Sequence, residues 1–215
     1  MARRSTAPAP TRVLFVRHGK TPTTGAVLPG RASGLHLADE GVRQAEAAAE
    51  RIAGLKKVDA VYASPLERTR ETAAPIGKAL GLRVKVDKGL LEADFGDWTG
   101  AELAKLRRLR EWKAVQGAPS AFRFPGGESF AEMQARIVGA TRRLVAAHPG
   151  GTIVLVSHAD PIKAVLNEAL GAHLDQFQRI VVSPCSISAV AYGELGTVVL
   201  AVNTTAGDLR ALVPS

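Results

Sequence analysis

The sequence predicts an α/β fold, a mainly parallel sheet with helices on both faces. Three observations carry that expectation. The runs Val13-Leu14-Phe15-Val16 and Ile153-Val154-Leu155-Val156 are apolar without a break, as strands buried on both faces are. Segments of helical period alternate with strands along the chain, which argues for βαβ construction. The chain's 215 residues suffice for one well-buried domain of this kind.

Taken in order, residues 1–11 begin basic and turn Ala/Pro-rich, so they read as a disordered tail and not as a secretory signal. The first strand ends abruptly at Arg17-His18-Gly19, and Gly- and Pro-rich residues 22–38 follow as a long loop. A helix starts near Glu40 with Val42, Ala45, Ala49, Ile52 and Ala53 on one face. Residues 58–63 form the next strand and enter Ser64-Pro65-Leu66-Glu67, a capping-box pattern with proline at the first helical position. Val84-Lys85-Val86 is a short strand, and leucines 103–109 are spaced for a helix. Ser129-Phe130-Ala131-Glu132 is a second capping box. Behind it Phe130, Met133, Ile137, Ala140, Leu144 and Ala147 recur in steps of three and four. Asp160-Pro161 opens a helix that Gly171 closes. Residues 186–192 and 197–203 close the fold as strands, an antiparallel hairpin at one edge. One domain over 12–205 and a second tail over 206–215 complete the division.

Composition narrows the function classes. No stretch approaches the roughly 18 apolar residues of a membrane span. Cys185 is the only cysteine, which excludes an internal disulfide and favours a reducing compartment, the cytoplasm. The net charge of +8 comes with only 5% aromatics and no nucleic-acid-binding module, so nucleic acid is not the expected partner. The dense basic cluster Lys105 to Arg110 reads as a solvated face, or as a positive field for anionic substrates. The oligomeric state is not legible, and a homodimer stays open.

The chemistry gathers where strands end. In open α/β sheets ligands bind beyond the carboxyl ends of the strands. Three such junctions supply Arg17 with His18, then Arg68, then His158, and the Glu92 segment adds a carboxylate. Arginine forks suit a tetrahedral phosphate, and a neutral imidazole is a nucleophile near pH 7. His18 can attack phosphorus, with Glu92 as proton donor and then acceptor. Side chains supply the positive charge, so neither metal nor cofactor is called for. Arg68 could instead pair with Glu67 or Glu71, and Asp94 competes with Glu92 for the acid's role. His36, His148 and His173 read as solvated or capping, and Cys185 as packed and inert.

Arg17-His18-Gly19-Lys20-Thr21, Ser64 to Thr72 around Arg68, Glu92 with Gly96, Trp98 and Gly100, and Val156-Ser157-His158 fall in an order that resembles the histidine phosphatase superfamily, the phosphoglycerate-mutase-like branch. Phe124-Pro125-Gly126-Gly127-Glu128-Ser129 and Ser157 to Lys163 resemble a bacterial phosphomutase/phosphatase subgroup. The resemblance implies a phosphorylated His18, with Arg17, Arg68 and His158 holding the phosphoryl group and Glu92 donating the proton. It also puts Thr21, Thr24, Gly30 and Ala159 at the substrate. Lys20, Thr24 and Ala159 depart from the family's usual acidic residue, asparagine and glycine. Residues 101–128 are expected to form a lid whose Arg107, Arg108, Arg110, Lys113 and Arg123 face an anionic substrate. Phe95 to Gly100 resembles the phosphatase version of its motif, so a phosphatase acting on a small phosphorylated metabolite is preferred to a mutase. A metal-dependent hydrolase built on His158 and Asp160, and a non-catalytic phosphate- or polyanion-binding protein, are the alternatives.

Overall fold

A computed structural model describes residues 9–212; residues 1–8 of the expected N-terminal tail lie outside it. Six strands, β1 (Thr11–Arg17), β2 (Ala60–Ala63), β3 (Val84–Val86), β4 (Thr152–Ser157), β5 (Ile187–Gly193) and β6 (Gly196–Thr204), form one sheet in the order β3-β2-β4-β1-β5-β6. The four strands β3, β2, β4 and β1 are parallel. β5 pairs antiparallel with β1, and β6 with β5, which gives the expected edge hairpin.

Alternation along β1 and β4 explains their unbroken apolar sequence. Val13, Phe15, Ile153 and Leu155 join one core. Leu14, Val16, Val154 and Val156 join the other. The first core is covered by helices α5 (Phe130–Ala146) and α6 (Ala159–Ala169), the second by α1 (Asp39–Ala53) and α2 (Glu67–Leu80). Every side chain of these two apolar runs therefore needs an apolar partner, whichever way it points.

Several expectations need correction. Thr11 already belongs to β1. Residues 209–212 form a 3-10 turn whose Leu209 is buried against the α1 side, and Arg51 holds the carbonyls of Thr204, Ala206 and Gly207. On α1 the buried face is Gly41, Ala45, Ala48, Ala49 and Ile52, while Val42 and Ala53 face outward. Gly41 packs so closely on the Lys20 carbonyl that a Cβ would not fit, and this contact sets the helix's rotation. The second capping box is formed by Ser129 and Glu132 as expected. The first is not: α2 starts at Glu67 with Leu66 as its uncapped N-cap, because the Ser64 hydroxyl is taken by His158.

The basic leucine segment is also not one helix. It breaks into α3 (Leu103–Leu106) and α4 (Trp112–Gly117). Leu106 and Val115 are buried but Leu109 is 41% exposed, so no single face continues through residues 107–111. Trp112 stacks on Trp98, and Trp98, Phe122, Phe124 and Phe130 pack on one another in tilted and edge-to-face contacts across these pieces. Few aromatics are present, yet they are concentrated here and fasten residues 112–130 to the Glu92 loop.

Candidate active site

The register of the sheet builds the site. Arg17 on β1 lies opposite Ser157 on the parallel β4, so the next residues, His18 and His158, leave the sheet side by side. Their rings meet edge to face with centroids 5.3 Å apart. Ala63 at the end of β2 pairs with Val156, which brings the start of α2 and its Arg68 to the same edge. Ser157 Oγ donates to the Leu90 carbonyl (2.7 Å) and ties in the segment that carries Glu92.

His18 is 5% exposed, and its Nδ1 lies 2.8 Å from the Gly19 carbonyl oxygen. A carbonyl only accepts, so Nδ1 carries the proton and Nε2 keeps its lone pair. Burial, then the charges of Arg68 and Arg17, push the imidazole down to about 3. The Gly19 N–H donates to Thr72 Oγ1 (3.0 Å), and a Cβ at Gly19 would collide with the Gly41 carbonyl. The turn after β1 is thus held between α1 and α2.

Arg68 is fully buried, yet it makes no ion pair with Glu67 or Glu71. Its Nη2 donates to the Gly30 carbonyl (2.8 Å), and its Nε and Nη1 have no partner among the described residues. Glu71 instead pairs with His36 and accepts from the Leu37 N–H. Arg17 Nη1 donates to the Val182 carbonyl (2.7 Å), and its Nε is likewise buried and unpartnered. Burial lowers both guanidinium pKa values, with Glu92 opposing in each case. His158 is fully buried; its Nε2 lies 2.9 Å from Ser64 Oγ, and its Nδ1 has no partner. Burial and the neighbouring Arg68, His18 and Arg17 keep this imidazole neutral. Buried polar groups are nearly always paired, so four orphaned nitrogens on these three residues, two of them guanidinium cations, stand out among the described residues.

Glu92 is 7% exposed, and its Oε1 accepts from the Ala93 N–H (2.9 Å). Burial, reinforced by the charge of Asp160, raises its carboxyl to about 7. Asp94 is occupied elsewhere, accepting from the Gly96 N–H (3.1 Å) and Arg31 (3.4 Å). The Glu92 carbonyl accepts from Arg31 Nε (2.9 Å) and Arg136 Nη2 (3.1 Å), and both arginines also grip Glu128. Gly96 (φ +51°) presses against Pro125 and Gly127, where a Cβ would not fit. These clamps hold the Glu92 loop in place.

Of the other expected residues, the Gly30 carbonyl is spent on Arg68, so this position orients the guanidinium. Thr24 Oγ1 accepts from the Thr21 N–H (2.8 Å) and meets the Thr21 hydroxyl (2.9 Å), closing a local turn. Ala159 opens α6. Arg123 is engaged by Glu132 and the Gly127 carbonyl. Arg107, Arg108, Arg110 and Lys113 are exposed on the short pieces around α3 and α4. His148, expected to be solvated or capping, meets the Tyr62 hydroxyl (2.9 Å), and His173 caps the turn at Asp175. Cys185 is buried and its thiol is pushed up to about 12. Sequence reasoning missed Ser64, Thr72, Arg31, Glu128 and Arg136 as supports. Only Ser64, Thr72 and Glu128 stood inside quoted motifs.

Among the described residues no three His, Cys, Asp or Glu side chains form a group able to hold a metal ion. No helix among them is long and apolar enough to cross a membrane. A cavity of about 740 Å³ lies at the other end of the sheet, among Arg12, Lys57, Asp59 and Thr152, away from these groups.

The bifunctional protein Rv2228c of Mycobacterium tuberculosis is 34% identical over 202 residues, which are 91% of this chain and 54% of that protein. The chain thus spans about half the length of the first mycobacterial relatives it matches. Phosphoserine phosphatase 1 of Hydrogenobacter thermophilus is 30% identical over 202 residues, 90% of this chain and 92% of that one. Among solved structures, the mycobacterial glucosyl-3-phosphoglycerate phosphatase Rv2419c aligns with a TM-score of 0.80 at 26% identity, covering 90% of this chain and 98% of its own. The family model for the histidine phosphatase superfamily (branch 1) matches residues 13–205. With that match over most of its length, the chain belongs to the histidine phosphatase superfamily.

Proposed function

We propose that this chain hydrolyses small phosphomonoesters through a phosphohistidine on His18. The observation that carries this reading is the set of unpartnered buried nitrogens on Arg17, Arg68 and His158, residues that neighbour an imidazole whose Nε2 is unprotonated. The Nε2 lone pair attacks phosphorus and the ester P–O bond breaks. The leaving oxygen takes the proton of Glu92, which burial keeps available at mildly acidic to neutral pH. Water then attacks phosphorus, the P–N bond breaks, Glu92 takes the water's proton, and inorganic phosphate leaves. Arg17, Arg68 and His158 bind the equatorial oxygens, where the charge sits during transfer.

A small phosphorylated metabolite is the substrate class, in keeping with the phosphoserine and glucosyl-3-phosphoglycerate phosphatases to which the chain is similar. Hydrolysis of an aryl phosphate in excess EDTA, by wild type and His18→Ala, tests this. Turnover that survives chelation and disappears in the variant supports it. Turnover lost only to EDTA contradicts it. Absence of turnover in both proteins moves the assignment to a selective mutase or a binding protein.

A further inference from the structure

We propose that Ser64 is a positioning residue that fixes the tautomer of His158, so that a neutral imidazole presents an N–H to the bound phosphoryl group. Ser64 is fully buried at the end of β2. Its N–H donates to the Val156 carbonyl (3.0 Å), and its carbonyl accepts from Thr69 Oγ1 (2.8 Å). Pro65 restricts it further to extended backbone. The hydroxyl thus stands at a fixed point, 2.9 Å from His158 Nε2.

Two arrangements of that hydrogen bond exist. If Nε2 carried the proton, Ser64 would accept it, and the serine's own O–H would need another acceptor. The described residues supply no second partner for Ser64 Oγ. In that arrangement His158 Nδ1 would also turn a bare lone pair toward the oxygens of an anion, which repels. If Ser64 donates to Nε2, every group is satisfied once an anion binds: Nδ1 carries the proton, and its present lack of a partner is the unfilled half of a hydrogen bond. No protonation of His158 is then needed. A buried imidazole beside two arginines is hard to charge, and the serine makes charging unnecessary. The arrangement mirrors His18, where the Gly19 carbonyl selects the Nδ1–H tautomer and leaves Nε2 free to react. One backbone acceptor and one side-chain donor thus give the two histidines opposite uses of the same tautomer.

The identity of the anion rests on the phosphatase reading; the tautomer does not, and it is measured without turnover. Nitrogen-15 spectra of the histidines at neutral pH, with His158→Asn to assign the signals, report it directly. The expected result is His158 protonated at Nδ1 and bare at Nε2, with the Nδ1–H hydrogen bond strengthening as inorganic phosphate is titrated in. A proton on Nε2 overturns the proposal. In Ser64→Ala the single tautomer is lost and phosphate affinity falls about tenfold or more, the scale of a hydrogen bond to a charged group. Ser64→Cys, nearly isosteric and a weak donor, recovers part of both. An unchanged tautomer and unchanged affinity in Ser64→Ala overturn the proposal, and should that variant not fold, the wild-type spectra decide. The expected tautomer in a protein that hydrolyses no phosphate ester supports the role of Ser64 and refutes the phosphatase reading alone.

Discussion

Glu92 and Asp160 are two carboxylates brought into one field by the sheet edge, and the charge of Asp160 adds to burial in raising the Glu92 carboxyl to about 7. His18 moves the other way, down to about 3. The proposed mechanism needs a neutral His18 and a protonated Glu92, so the two shifts give it a working range between them. The kcat/KM profile is expected to be flat through mildly acidic pH and to fall about tenfold per unit above the Glu92 limb. Removing a negative neighbour lowers a carboxyl pKa, so Asp160→Asn moves that alkaline limb to lower pH. A limb unmoved in Asp160→Asn contradicts this coupling.

Glu92→Gln separates the acid's role from a structural one. Without a proton to give, the variant is expected to lose about a hundredfold or more in kcat on alkyl phosphates, whose leaving oxygens need protonation. The loss is smaller on aryl phosphates with acidic leaving groups. Equal losses across a leaving-group series count against Glu92 as the donor.

Arg68 sets function against stability. It is fully buried, and against its bond to the Gly30 carbonyl and the charges of Glu92 and Glu67 stand burial itself, two unpartnered nitrogens and a cationic neighbour in Arg17. Such a group stabilises the protein little until an anion arrives. Arg68→Met is expected to lower kcat/KM about a hundredfold or more and, in phosphate-free buffer, to leave the melting temperature unchanged or higher. Inorganic phosphate, conversely, raises the melting temperature of wild type and not of the variant. A large loss of stability in Arg68→Met contradicts the account.

Arg136 supports the Glu92 loop from behind, donating to the carbonyls of Gly89, Leu91 and Glu92 while pairing with Glu128. Arg136→Ala leaves those carbonyls and the Glu128 carboxylate short of partners. It is expected to cost about 2–4 kcal/mol in denaturant unfolding and to reduce kcat more than it raises KM. A change in KM alone would place Arg136 in substrate binding.

The strands and the two histidines were legible because each depends on local sequence. Val13 to Val16 and Ile153 to Val156 have no polar face to misassign, and each run stops one polar residue before its histidine. Ser129 and Glu132 cap their helix as read: Arg123 takes only one Glu132 oxygen and leaves the other for the Ser129 N–H. Ser64 and Glu67 carry the same pattern and fail, because a residue almost a hundred positions away claims the serine hydroxyl. No local rule registers such a partner. The same holds for the rotation of α1, set by the Gly41–Lys20 contact, and for the break in residues 107–111, where tertiary packing overrides leucine spacing. Arg31 and Arg136 stand in no quoted motif, and only the fold brings both to the carbonyl of Glu92.

The central claim is that the phosphoryl group rests on His18 between two half-reactions. The most direct measurement is rapid quench of Glu92→Gln with an aryl phosphate that has a good leaving group, followed by intact-protein and peptide mass spectrometry under alkaline conditions, where phosphohistidine survives. In Glu92→Gln the first step proceeds without its acid while water attack lacks its base, so the intermediate should accumulate. The account predicts one added phosphoryl group, located on His18, lost on acid treatment and absent from His18→Ala. A burst of product with no phosphorylated protein, or a phosphoryl group on another residue, would contradict it.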